Sequence, residues 1–222
     1  MEVILCIETA TKSCSVSLSQ NGKTLQTIEL VSDQYSHSEK LTLFIEQILK
    51  DQQKSFSDLD AVAVSKGPGS YTGLRIGVST AKGICYAIDK PLISISTLEA
   101  MAYGMSLQYP DAIYCPMLDA RRMEVYCAFY GNKESGIEAK VLDENSFKED
   151  LYKHSIIFFG DGSDKFKQIV EHPNAIFIDD VFPSAKNMSS LAQLAFDQKQ
   201  FEDVAYFEPF YLKDFVAGPH KK

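Results

Sequence analysis

The sequence contains no tryptophan, only four histidines and no Cys-x-x-Cys pair. Its five cysteines lie in apolar runs or on the apolar side of an alternating strand, and their number is odd. This pattern predicts small buried side chains in a reducing compartment, not a disulfide framework or a zinc site. No two histidines stand four residues apart and no Gly-x-Ser-x-Gly elbow occurs, so we expect neither a metal ligand set nor a hydrolytic catalytic residue.

Positive charge is also scarce, with 22 Lys and Arg against 30 Asp and Glu and a net charge of −8. Because nucleic-acid affinity depends largely on cations that displace counterions from phosphates, we expect this chain to reach RNA only through a partner. No apolar run approaches membrane-spanning length. The first residues are apolar but include Glu2 and Glu8 and lack a basic leader, so we expect no signal peptide and a cytoplasmic protein.

The pattern of apolar residues predicts an α/β protein that opens with three strands. Residues 3–7 are continuously apolar, as in a strand covered on both faces. Residues 14–19 alternate between apolar residues and serine, which predicts a half-exposed strand. Asn21 and Gly22 favour a tight hairpin turn, and residues 24–30 return as a third strand. We therefore expect an antiparallel three-stranded meander.

Two helices are predicted to follow. The first, at residues 38–50, has one apolar stripe, and Leu43 lies off it. The second, at residues 74–88, has two non-polar rows of side chains and only a narrow polar strip. We therefore expect both rows to pack against other protein segments. One row could pack on the first helix and the other on a second protein, or the first helix alone could suffice. The sequence does not decide which row meets a partner. One of the two rows, together with Leu43 of the first helix, gives the interface candidates: Leu43, Ile76, Thr80, Gly83 and Ala87.

Two strand–glycine–helix junctions are the candidate ligand loops, at residues 66–73 and 160–163. Free N–H groups at a helix N-terminus favour anions, but residue 74 is Leu where a Walker loop has Lys, and residue 72 is Thr where a dinucleotide loop has Gly or Ala. Phosphate contact and close helix–sheet packing both stay open. Glu8, at the end of the first strand, could hold a metal–phosphate group or could be a solvated or capping residue. The nucleotide-loop candidates are Glu8, Gly67, Gly69, Ser70, Gly73, Gly160 and Gly162.

The second half repeats the order of strands before helices. Strands are expected at residues 91–95, 113–118, 123–130, 138–142, 156–159 and 175–178, and helices after Ser96 or Thr97 and at residues 184–197. A boundary between Tyr103 and Asp111 divides the chain into residues 1–106, with the glycine loop and the interface helices, and residues 107–222.

Several runs of residues resemble one family. They are residues 4–10 (ILCIETA), 35–39 (YSHSE), 66–77 (KGPGSYTGLRIG), 119–126 (DARRMEVY) and 209–213 (PFYLK). The run around GPGSYTGLR is highly specific and the tail run moderately so. On these motifs the chain resembles, over essentially its whole length, the TsaB (YeaZ) family.

The resemblance implies an actin/sugar-kinase-like fold of two related subdomains, with mixed sheets flanked by helices. It also implies a non-catalytic scaffold that binds a TsaD-type transferase in threonylcarbamoylation of the tRNA adenosine beside the anticodon. A TsaE-type ATPase completes the set, and the first two helices pair with those of TsaD, or with a second copy when TsaD is absent. No cofactor is required, and weak binding of ATP or ADP in the residual cleft stays open.

The transferase binds its metal through a His-x-x-x-His motif, and the resemblance aligns that motif with residues 97–101 (TLEAM). The histidines are missing here, which argues against catalysis and against the peptidase activity once assigned to similar proteins labelled glycoproteases. Two alternatives remain: an ATP-dependent small-molecule kinase of the same fold, suggested by the glycine junctions and Glu8, and a metallopeptidase.

Overall fold

The computed structural model describes residues 1–32 and 37–212 of the 222-residue chain. Tyr35 and Ser36 of the YSHSE run, and Lys213 of the tail run, lie outside the described residues. The described strands are β1 (Val3–Glu8), β2 (Ser13–Gln20), β3 (Lys23–Val31), β4 (Ala61–Gly67), β5 (Leu92–Ser96), β6 (Ile113–Asp119), β7 (Glu124–Cys127), β8 (Tyr130–Gly131), β9 (Glu138–Val141), β10 (Ile156–Phe159) and β11 (Ala175–Ile178). The α-helices are α1 (His37–Asp51), α2 (Tyr71–Ile88), α3 (Thr97–Ser106), α4 (Lys148–Lys153), α5 (Ser163–Lys167) and α6 (Ser189–Asp197).

The first sheet has the strand order β3-β2-β1-β4-β5. The predicted meander is confirmed, because β1, β2 and β3 pair antiparallel in sequence. At its turn, Asn21 and Gly22 have φ angles of 50° and 74°, the left-handed values that a tight hairpin requires. β4 and β5 then add parallel strands beside β1, so the sheet is mixed.

Each face of this sheet carries its own hydrophobic cluster. Leu5 and Ile7 of β1 pack with the inner sides of α1 and α2 on one face. Ile4 and Cys6, which point the other way, pack with residues of α6 on the opposite face. A parallel core with helices on both sides explains why β1 is continuously apolar.

The prediction that β2 is half exposed is wrong. Its apolar residues face α1 as expected, but Ser15, Ser17 and Ser19 are also buried. The 3₁₀ helix Ala185–Met188 covers them: the Ala185 amide donates to Ser15 Oγ at 3.0 Å, and Ser17 Oγ donates to the Ala185 carbonyl at 2.8 Å. The serines are therefore internal hydrogen-bonding groups rather than a solvated face.

The second sheet has the order β11-β10-β6-β7-β9, and β8 pairs separately with β6. β9 pairs with β7 as predicted. The single strand expected at residues 123–130 is instead two short strands, β7 and β8, because the ladder breaks at Ala128 and Phe129, where the Phe129 amide donates to Ser135 Oγ at 2.9 Å. The helix expected at residues 184–197 is a 3₁₀ turn followed by α6, and α4 was not predicted.

Helix α3 and the C-terminal stretch connect the two sheets. Met101 and Met105 of α3 pack on the second sheet, whereas Ala100 packs on the first. The change of sheet follows α3, between residues 106 and 113. After β11 the chain returns to the first sheet, where Met188 joins its cluster and the Glu202 amide donates to the Leu92 carbonyl at 2.8 Å.

Candidate functional site

Helix α2 is the centre of the candidate site, and it begins at Tyr71, three residues earlier than predicted. Ser70 caps it, and its hydroxyl accepts a hydrogen bond from the Gly73 amide at 3.3 Å. An N-cap serine satisfies an amide that the first helical turn leaves without a partner. The serine of the glycine loop therefore stabilises the start of the helix.

Three glycines let this helix start directly against the turn after β1. A Cβ on Gly69 would overlap the Ala10 carbonyl oxygen, one on Gly73 would overlap the Thr9 carbonyl oxygen, and one on Gly77 would overlap Thr9 Oγ1. The Ser70 amide donates to the Ala10 carbonyl at 2.6 Å, and Thr9 Oγ1 donates to the Gly73 carbonyl at 2.8 Å. We call this contact the α2 seat: Thr9 and Ala10 below Ser70 and the three glycines.

Glu8 supports the α2 seat from below and is fully buried. Its Oε1 accepts the Ala10 amide at 2.6 Å and the Ser65 hydroxyl of β4 at 2.8 Å. Burial raises the pKa of Glu8 to about 7, and the hydrogen bonds from Ala10, Ser65 and Thr9 oppose that shift. Among the roles that the sequence allowed for Glu8, these contacts match a capping residue. Glu8 lies buried below the α2 seat and not in solvent.

The structure decides which row of α2 faces inward. Leu74, Val78, Ala81 and Cys85 are buried in the cluster shared with the first sheet and α1, or beside it. The other row, here called the outer row, is less covered: Gly83 and Ala87 are exposed, whereas Ile76 and Thr80 are half-buried and Ile76 packs against the same cluster. On α1, Leu43 is 54% exposed. Of the five interface candidates, Leu43, Gly83 and Ala87 are therefore exposed, and Ile76 and Thr80 are partly covered.

The stretch from Asp203 to Leu212, here called the strap, runs along one flank of α2. Lys82 Nζ donates to the carbonyls of Ala205 and Phe207 at 3.1 and 2.9 Å. Nearer the start of the helix, Arg75 Nε donates to the Tyr211 hydroxyl at 3.1 Å, and the guanidinium carbon lies 4.2 Å from the centre of the Tyr71 ring. The hydroxyl raises the pKa of the Arg75 guanidinium further. The strap therefore contacts Arg75 and Lys82, two residues of the polar strip of α2.

The two glycine junctions do not meet in one loop. In the first junction, Gly67 packs against the strap, since its Cβ would come within 2.9 Å of the Phe210 carbonyl oxygen. In the second, Gly160 borders a cavity of about 380 Å³, and Gly162 packs against Leu118 and Val125. The cavity is lined by Lys12, Asp119, Gly160, Asp161, Ser163, Asp164, Asp179, Asp180, Val181 and Phe182. Burial raises the pKa of Asp161 there. Nucleotide binding at these residues stays a prediction.

The positions aligned with the transferase metal motif belong to the core. Thr97 is fully buried and Met101 is 1% exposed, and the Met101 methyl stands 3.0 Å from the Cβ position of Gly160. Among residues 1–32 and 37–212, no group of three or more His, Cys, Asp or Glu side chains could hold a metal ion. None of the helices in these ranges combines the length and apolarity needed to cross a membrane.

Sequence reasoning missed Thr9, Ala10 and Gly77 of the α2 seat, and Ser65, which bonds to Glu8 below it. One signal was available: Gly73 and Gly77 are four residues apart, so they share one helical face. The strap contacts of Lys82 and Tyr211 carried no local signal, because the partners are more than 120 residues apart.

The fold places the chain in a known class. Two mixed sheets, each with helices on its faces, form an α/β protein of the actin/sugar-kinase-like fold. A Pseudomonas aeruginosa protein described as similar to peptidase YeaZ superposes with a TM-score of 0.85, covering 96% of this chain and 100% of that chain at 24% identity. The activator of 2-hydroxyisocaproyl-CoA dehydratase from Clostridium difficile shares the fold at a TM-score of 0.50 and 11% identity, covering 91% of this chain and 98% of that chain.

Sequence comparison identifies the family. The model of the TsaD family, described as tRNA N6-adenosine threonylcarbamoyltransferase, matches residues 30–218. The tRNA threonylcarbamoyladenosine biosynthesis protein TsaB of Escherichia coli K12 is 30% identical over 223 residues, which is 96% of this chain and 96% of that protein. The chain belongs to the TsaB (YeaZ) family, within the larger TsaD family.

Proposed function

We propose that the chain is a non-catalytic scaffold subunit in the biosynthesis of tRNA threonylcarbamoyladenosine. In this role it binds a TsaD-type transferase through the outer sides of α1 and α2 and supports modification of the adenosine beside the anticodon. A TsaE-type ATPase joins the complex, and tRNA is reached only through it, as a net charge of −8 favours.

The outer row of α2 is the observation that carries this proposal. Its members are uncharged, and Gly83 and Ala87 are exposed on a helix whose inner row is already buried. A Cβ on Gly83 would meet no described atom within 4 Å, so nothing in the described fold requires glycine there. Small uncharged side chains let a partner helix approach closely. A stable interface needs about 800 Å² on each partner, more than one helix row offers, so Leu43 and the exposed side of α1 belong to the same surface.

The contacts of α3 support the non-catalytic part of the proposal. In place of the histidine pair, Thr97 and Met101 are core residues, and Met101 packs with Tyr114 and Phe159 of the second sheet. Neither of these two side chains is a usual metal ligand, which supports a chain that holds no catalytic metal here.

Gly83→Arg tests the surface, and Gly83→Ala is its matched control. The arginine adds a long charged side chain at a position where the fold has room, so we expect thermal stability no lower than that of the wild type and loss of binding to a TsaD-type transferase in calorimetry. The alanine should bind as the wild type does. Normal binding by Gly83→Arg would place the interface elsewhere.

In the absence of the transferase, the same surface is proposed to pair two copies of the chain, since a twofold axis can bring one helical layer against its own copy. Analytical ultracentrifugation should then detect a dimer for the wild type and a monomer for Gly83→Arg at the same concentration.

A further inference from the structure

A chain of hydrogen bonds joins the buried Glu8 carboxyl to the first turn of α2. Glu8 Oε1 accepts the Ala10 amide at 2.6 Å, and the carbonyl of the same residue accepts the Ser70 amide at 2.6 Å. In parallel, Thr9 Oγ1 donates to the Gly73 carbonyl at 2.8 Å. The position of the helix start therefore depends on the turn that Glu8 holds.

The glycine contacts make this dependence strict. The backbone of α2 at Gly73 and Gly77, and that of the preceding loop at Gly69, lies closer to Thr9 and Ala10 than any side chain would allow. Packed protein interiors respond to displacement by shifting neighbours rather than by compressing. A change in the turn is consequently transmitted to α2, which carries the proposed docking row.

The second oxygen of Glu8 makes the turn sensitive to a proton. Oε2 is buried and has no hydrogen-bond partner among the described residues. A neutral carboxyl tolerates this environment, whereas a carboxylate without a donor on Oε2 pays a desolvation penalty inside the protein. Burial accordingly raises the pKa of Glu8 to about 7.

We propose that Glu8 is a positioning residue for the docking helix: protonated, it holds the α2 seat, and ionised, it loosens the seat and weakens partner binding. This inference rests on the proposed function, because the partner is the TsaD-type transferase. It adds a proton-dependent step to docking and assigns that step to one carboxyl.

Other titratable groups near the seat change charge elsewhere on the pH scale. On β2, burial raises the pKa of the Cys14 thiol to about 11, and the Glu8 charge adds to the shift. On α1, burial lowers the pKa of His37, whose Nε2 lies 2.7 Å from the Thr11 carbonyl. β4 faces Glu8 with the uncharged Ser65, and α2 faces the seat with backbone groups. At pH values above the pKa of His37 and below that of Cys14, Glu8 is the one of these three groups that changes its charge.

The test measures affinity for the transferase against pH, by calorimetry on the full chain. For the wild type we expect binding to weaken as pH rises through about 7, with a limiting slope of about tenfold per pH unit for one coupled proton. Glu8→Gln keeps the acceptor at Oε1 and carries no charge, so it should bind with a flat profile near the low-pH affinity of the wild type.

Two further variants supply a second test and a matched control. Ser65→Ala removes a hydrogen bond that lowers the Glu8 pKa, so the midpoint of the binding profile should move to higher pH even if Glu8→Gln does not fold. Asp143→Asn is the matched control: this exposed carboxylate accepts the Asn145 amide at 2.9 Å and the Ser146 hydroxyl at 3.0 Å, and it has no described contact with the α2 seat, so the profile should stay that of the wild type.

Hydrogen exchange at the amides of the first two turns of α2 reports on the seat without the partner. Their protection should fall above pH 7 in the wild type and should not fall in Glu8→Gln. A wild-type affinity that does not vary with pH, or an unshifted midpoint in Ser65→Ala, overturns the inference and leaves the proposed function standing. Absence of transferase binding at every pH overturns the proposed function, and the docking role of Glu8 with it.

Discussion

The backbone of Gly73 lies against the carbonyl oxygen of Thr9 so closely that a Cβ at residue 73 would overlap that oxygen. The contact joins the helix with the proposed docking row to the turn that follows the first strand. It also explains why a glycine-rich loop in this chain can serve packing: its backbone is already in contact with the protein's own main chain.

The Gly73 contact predicts a large difference between two glycine substitutions on one helix. Gly73→Ala should destabilise the protein by about 1–3 kcal/mol, because the added methyl must displace the Thr9 carbonyl. Gly83→Ala should stabilise it by about 0.4–1 kcal/mol, since its position is open and alanine restricts the unfolded chain. Urea denaturation of both variants measures the difference. Equal free energies of unfolding would contradict the close contact.

The raised pKa of Glu8 predicts that the free energy of unfolding falls as pH rises above 4.5. Its pKa is about 7 in the folded state against an ordinary value of 4.5, so between these pH values the folded state binds the extra proton. Its stabilising contribution is complete below pH 4.5 and is lost as pH rises through about 7, a loss of about 3 kcal/mol from this group. The difference in free energy of unfolding between wild type and Glu8→Gln should follow this curve. A pH-independent difference would refute the assignment.

The buried serines of β2 predict a cost for removing one hydroxyl. Ser17→Ala leaves the Ala185 carbonyl without its donor in the interior, and we expect a loss of about 1–2 kcal/mol. Ser57→Ala is the control, because Ser57 is exposed and substitutions of that kind change stability by about 0.5 kcal/mol at most. Thermal unfolding in calorimetry compares the two. Similar melting temperatures would show that residue 185 does not cover β2.

The strap predicts a change in protease sensitivity. Lys82→Met keeps much of the side-chain length but removes the ammonium that holds the carbonyls of Ala205 and Phe207. Chymotrypsin should then cleave faster within residues 203–212, at the aromatic residues of the strap. Lys50→Met, at the exposed end of α1, should be cleaved at the wild-type rate, and mass spectrometry locates the cuts. Equal rates in both variants would mean that Lys82 does not retain the strap.

The main elements could be read from the sequence where one element carries its own signal. The stripe of α1, the two rows of α2 and the turn at Asn21 and Gly22 were predicted and are confirmed, because helical period and turn chemistry are local properties. The interface candidates rest on the family resemblance together with the second non-polar row of α2, and they stay a prediction.

Residues that depend on distant partners could not be predicted. The alternation of β2 indicated a half-exposed strand. Its serines are buried because the 3₁₀ helix that begins at Ala185, some 170 residues later in the chain, packs over them. The environment of Glu8 likewise depends on Ser65 and on the close approach of α2, neither of which its own segment encodes.

The amino-acid sequence by itself determined the family motifs, the periodic elements and the low content of metal-binding histidine and cysteine pairs, because each is a property of residue type and short-range spacing. Tertiary structure alone decided which row of α2 is more exposed, that the glycine loop contacts Thr9 and Ala10, and that one oxygen of Glu8 is buried without a donor among the described residues. These features depend on which segments are in contact in the folded protein. The free energy of such contacts is set by packing and desolvation rather than by neighbours along the chain.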